Sequence, residues 1–131
     1  MYDFRTFRKV ADKLAQIDKE EYYRSAISRY YYSLFGCARL YLMLTMGEYQ
    51  FARGRDVHQR MCNRLINSDD ETERALGAIL DKLKGLRNLA DYDWDKKDCE
   101  FFKDNLFYVK RESERGLEQV ESLKQSPPYD L

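Results

Sequence analysis

The sequence predicts an all-α protein: an antiparallel up-and-down bundle of four long helices plus one short helix. Apolar residues recur at three- and four-residue steps along most of the chain, and nothing alternates with period two over a useful length. No proline occurs before Pro127, and the six glycines are scattered, so long helices meet few breakers. Connections between the periodic stretches are short, which makes up-and-down topology the default.

Phe4, Phe7, Ala11, Leu14 and Ile17 mark a first amphipathic helix. Asp18, followed three residues later by Glu21, has the form of a capping box, so a second helix is expected to begin near residue 19 or 20. Its stripe is Tyr23, Ala26, Ile27, Tyr30, Leu34, Ala38 and Tyr41, and Gly47 suits the left-handed position that ends it. Tyr31, Tyr32 and Phe35 make the other sides apolar too, which fits a helix central to its bundle or shared with a second subunit. Residues 47–56 read as a loop, with Asp56 as N-cap of a short helix through Ile66. "NSDD" caps a helix from Glu71 to Asp91, and Asp95 is a candidate cap for the last helix, with Phe102, Leu106, Val109, Leu117, Val120 and Leu123 inward. Residues 1–125 thus form one bundle, and 126–131, "SPPYDL", a disordered tail.

The chain has 131 residues, 23 basic and 23 acidic, so a nonspecific nucleic-acid binder with a basic excess is disfavoured, and any RNA contact must be a local patch. Arg53, Arg55, His58 and Arg60 are the residues for such a patch; alternatively, His58 packs locally near its helix start. Cys37, Cys62 and Cys99 are odd in number and lack a CxxC pair, so neither a disulfide framework nor a metal site is expected, and no cofactor. The apolar run 30–46 is interrupted by Ser33 and Arg39 and reads as a core helix; no secretory segment follows Met1, so the expected location is cytoplasmic, off the membrane.

At about 100° per residue, Leu76, Ile79, Leu80, Leu83, Leu86 and Ala90 share one arc, and Arg87 falls inside it. A charge facing a core must find an anion or acceptors. Asp91, one turn on, is one partner; a phosphate gripped by the guanidinium fork is the other. Tyr92 lies about 140° round from Arg87, so the two are expected to meet only if the helix unwinds near Asp91 or across a two-fold axis.

"RSAISRYYYSLFGCARLYL" (24–42) resembles the second-helix signature of HEPN domains, "LRNLADYD" (86–93) resembles their Leu-Arg-Asn-x-Ala-Asp-Tyr block, and "DVHQRMCNRL" (56–65) resembles their short third helix. The resemblance implies a homodimer whose motif helices line a shared cleft. It also implies a metal-independent ribonuclease of toxin–antitoxin or phage-defence type, with a minimal nucleotidyltransferase antitoxin as partner. Family members pair an arginine with a histidine further along the helix; Arg87 matches the arginine, whereas Tyr92 stands where the histidine is expected. The catalytic set so implied is Arg87, Tyr92 and Asp91, and Tyr92 is also the nearest acceptor for the AMP that such partners transfer. A phenol with an unperturbed pKa of about 10 is a poor base, so cleavage by the usual mechanism is expected to be weak or absent unless another residue completes the site. The alternative is a noncatalytic nucleotide- or protein-binding module acting with that partner.

Overall fold

The computed structural model describes residues 2–128 and is all-α. Helix α1 spans Thr6–Leu14, and α2 spans Glu20–Leu40 and runs on through a π turn at Tyr41–Thr45. A 3-10 turn at Tyr49–Ala52 precedes α3 (Val57–Ile66), α4 (Glu71–Tyr92) and α5 (Cys99–Gln125). The long helices α2, α4 and α5 pack antiparallel, as the pattern predicted. The first helix is shorter than its stripe: Phe4 lies in the turn before it, and Ile17 beyond it is 40% exposed. Phe4 still packs on the bundle, because its ring occupies the space where a side chain at Gly36 would be, 2.1 Å from an ideal Cβ. Three helices are therefore long and two short.

Helix α2 is the central element, against α1, α4 and α5. Tyr30, Leu34 and Ala38 are fully buried, and Tyr31 nearly so, which accounts for its apolar residues on several faces. Gly47 ends this segment at φ +70°, where Glu48 N–H donates to Leu42 O at 2.9 Å. Asp70 caps α4 by accepting from Glu73 N–H at 2.8 Å. Two predicted caps differ. Asp18 does not form a capping box, because its carboxylate accepts from the Tyr23 hydroxyl while Lys19 takes the N-cap position. Asp98, not Asp95, caps α5, accepting from Phe101 N–H at 3.0 Å. Asp56 does precede α3, but in the left-handed region (φ 55°) and without a side-chain cap bond.

A buried polar network ties the end of α2 to α3 and α4. The Glu73 carboxylate, with no exposure, accepts from Arg64 Nη1 at 2.9 Å, Tyr41 OH at 2.6 Å and Ser68 Oγ at 2.6 Å, and Arg64 also pairs with Glu48 at 2.7 Å. Two guanidinium groups brace the loop above it. Arg39 donates to Phe51 O (2.7 Å) and Ala52 O (2.5 Å), and Arg60 donates to Gln50 O, Arg53 O and Arg55 O at 2.8–3.0 Å. Cys37, Cys62 and Cys99 are free thiols. No helix among the described residues is long and apolar enough to cross a membrane. Residues 126–128 follow the last helix, and the rest of the predicted tail, 129–131, lies outside the described residues.

Candidate functional site

The site lies where the last turns of α4 face one edge of α2. Arg24, Ser28 and Tyr32 recur at four-residue steps and so share that edge. Arg24 Nη1 donates to Ala90 O at 3.1 Å, satisfying a carbonyl near the end of α4, and its guanidinium lies 4.0 Å from the Phe102 ring centre on α5. This fixes the end of α4 relative to α2 and α5, and with it Arg87 and Asp91.

Arg87 lies on the core-facing side, its side chain only 15% exposed. Asp91 Oδ2 is 2.8 Å from Arg87 Nε, an ion pair by distance, yet the Nε–H has no acceptor in line. The pairing is Coulombic rather than a good hydrogen bond. Nη2 donates to the Tyr32 hydroxyl at 2.5 Å and Nη1 to Asn88 Oδ1 at 3.0 Å. A guanidinium has five N–H donors, so the fork retains capacity for an incoming anion. Ser28 Oγ donates to Asp91 Oδ2 at 3.3 Å, holding the carboxylate from the α2 side.

Three phenol rings surround the charge: the Arg87 guanidinium carbon is 5.0 Å from the Tyr32 ring centre, 5.4 Å from Tyr92 and 6.0 Å from Tyr31. Tyr92 therefore approaches Arg87 without the unwinding or two-fold axis that the angular argument required. The helix continues through Tyr92, and the length of the arginine side chain spans the angular gap. Tyr92 is 65% exposed, so the site is open to solvent on its side. Beside it runs a groove of about 410 Å³ lined by Asn88, Tyr92, Asp93, Asp95, Lys96 and Lys97, among others.

The proposed phosphate patch is not assembled as one surface. Arg53 and Arg55 are exposed, whereas Arg60 commits three of its donors to loop carbonyls. His58 is buried on the inner face of α3, with Nδ1 2.5 Å from the Tyr31 hydroxyl and Nε2 3.3 Å from Cys62 Sγ. Burial, with the nearby Lys84 ammonium, holds its pKa down at about 4, so the imidazole is neutral near pH 7. Its position under Tyr31 keeps it from acting as an exposed base.

Ser28 and Asn88 were not singled out from the sequence, and Tyr32 was read only as part of an apolar side of the second helix, although the four-residue spacing of Arg24, Ser28 and Tyr32 was visible there. A second grouping was also missed: ligand atoms of His58, Cys62 and Asp81 all lie within 4.8 Å of one another. His58 and Cys62 are one helical turn apart, but nothing in the sequence registers α3 against Asp81 on α4. Comparison of the chain with protein-family models, with curated proteins and with solved structures yields no match.

Proposed function

We propose that this is a dimeric, cytoplasmic HEPN-type protein of toxin–antitoxin or phage-defence biology, in which Arg87 receives an RNA phosphate. The observation that carries the reading is the Arg87 guanidinium itself, held at the mouth of a three-tyrosine enclosure with an Nε–H that no acceptor meets in line. A phosphate oxygen would meet the Nη hydrogens that Asn88 and Tyr32 leave free and compete with Asp91 for the charge. In cleavage through the 2′-hydroxyl, Arg87 stabilises the charge developing on phosphorus, Tyr92 donates a hydrogen bond or proton from its exposed position, and Asp91 accepts one. Turnover by this set is slow, since no imidazole joins it.

The burial of His58 favours a second reading, in which the same cleft binds nucleotide or protein without chemistry and a nucleotidyltransferase partner controls it by transferring AMP to Tyr92. Phosphates added there would lie against Arg87 and close the cleft to RNA.

The test is cleavage of tRNA and mRNA by the purified chain and by Arg87→Ala. Slow cleavage by the former and none by the latter is the expected result. Equal cleavage by both, or none from either under any condition, removes the catalytic claim. In the second case, intact mass after coexpression with a nucleotidyltransferase, together with nucleotide-induced thermal shifts, decides whether the binding-module reading stands.

A further inference from the structure

The His58–Cys62–Asp81 cluster adjoins the arginine site through Tyr31, and its side chains take no part in the chemistry proposed there. Helix α3 projects His58 and Cys62 from the same face, one turn apart, toward α4, where Asp81 stands opposite. We propose that these three side chains form a binding site for one borderline-soft divalent cation of the Zn²⁺ type, clamping α3 to α4.

The donor set is the first argument. Imidazole nitrogen, thiolate sulfur and carboxylate oxygen together suit Zn²⁺ far better than Mg²⁺ or Ca²⁺, which take oxygen ligands. The second is distance. With bonds of about 2.3 Å to sulfur and about 2.0 Å to nitrogen, a tetrahedral ion separates those two donors by about 3.5 Å. His58 Nε2 and Cys62 Sγ are already 3.3 Å apart, so the buried pair needs a shift of only tenths of an ångström. Asp81 is the exposed member, so the cluster faces solvent on its side.

The third argument is orientation. The Tyr31 hydroxyl lies 2.5 Å from His58 Nδ1 and can take either role in that bond; when it accepts the imidazole proton, the Nε2 lone pair faces Cys62 Sγ. That is the tautomer a metal ligand needs, and an ion at Nε2 selects it with a partner already in place behind the ring. Burial keeps the imidazole neutral but also pushes the Cys62 thiol up to about 12, so binding must expel the thiol proton. The S–H bond breaks as the sulfur–metal bond forms, and one proton passes to solvent for each ion bound. A Cys–His nucleophile is the competing use of this pair, and it fails on access, because Cys62 is 1% exposed. Lys84, close enough to act on both His58 and Cys62, opposes a cation and sets a limit on affinity.

The proposal is independent of the RNA-binding reading. Its test is titration of the full chain, stripped with chelator, with Co²⁺ alone, followed by absorbance. One Co²⁺ per chain with a thiolate-to-cobalt charge-transfer band is expected, and Zn²⁺ displaces it. Cys62→Ala abolishes the band. Tyr31→Phe weakens binding about 10–100-fold by freeing the imidazole. Asp81→Asn, at an exposed position that leaves the fold intact, weakens it by at least about 10-fold. Lys84→Gln tightens it by about 5-fold through loss of the opposing charge. Absence of stoichiometric binding, binding without the charge-transfer band, or unchanged affinity in Asp81→Asn overturns the proposal. If Cys62→Ala fails to fold, the Asp81 and Lys84 variants decide.

Discussion

Glu73 shows how a single buried carboxylate is kept charged. Burial alone raises its pKa, but donation from Arg64, Ser68 and Tyr41 outweighs that, and the carboxyl titrates below its ordinary value. In the unfolded chain it titrates near about 4.3. The folded state thus binds this proton less readily than the unfolded one. The contribution to stability is complete above the unfolded value and is lost as pH falls through the folded one. Urea titrations at stepped pH are expected to show stability dropping below about pH 4. Glu73→Gln removes part of that slope and lowers stability at neutral pH by about 2 kcal/mol, since charged hydrogen bonds are lost and Arg64 keeps only Glu48. At the same scale, Arg87 was legible as a misplaced charge, and Asp91 as its neighbour, from helical spacing alone. Tyr32 was not recognisable as its hydrogen-bond acceptor, because that contact joins residues 55 apart in sequence.

Among the helices, close approach of α5 to α2 depends on Gly116. A Cβ there meets Leu34 Cδ2 at 2.6 Å and Cδ1 at 2.7 Å, and Leu34 is fully buried with nowhere to move. Gly116→Ala is expected to destabilise by about 1–3 kcal/mol despite the better helix propensity of alanine. Gly85 on α4 is the control: nothing lies within 4 Å of its Cβ position, so Gly85→Ala is expected to stabilise by about 0.5–1 kcal/mol. Thermal or chemical unfolding of the two variants checks both signs. The loop between α2 and α3 makes a different prediction. Arg60→Ala frees three carbonyls and is expected to speed limited proteolysis within residues 50–55 several-fold, with the helices remaining protected. The helix spans were largely readable from periodicity, but two caps were not. Asp18 and Asp95 have the right residue type; tertiary geometry gave Asp18 to Tyr23 and put the start of α5 at Asp98.

For the whole molecule, Trp94, two residues beyond the end of α4, reports whether that end meets a second copy. Trp94, the single tryptophan, is 84% exposed in one chain. If the proposed dimer forms through this end, Trp94 is covered in it, and dilution is expected to shift its emission to the red as the mass measured by sedimentation halves. Dissociation without any change in emission places the dimer contact elsewhere.

The sequence by itself determined the all-α class, the sequence positions of the long helices and the anomaly at Arg87. These depend on local properties: a repeat near 3.6 residues, the absence of prolines, and one charge within an apolar arc. Tertiary structure alone decided which side chains meet. It tied Arg60 to the loop rather than to a phosphate patch, buried His58 beneath Tyr31, and brought Asp81 to His58 and Cys62. The reason is that periodicity assigns each residue to a face of its own helix, whereas the register of one helix against the next is set by packing. Here that register depends on the approach allowed by Gly36, Gly77 and Gly116, where small residues let neighbouring elements close in.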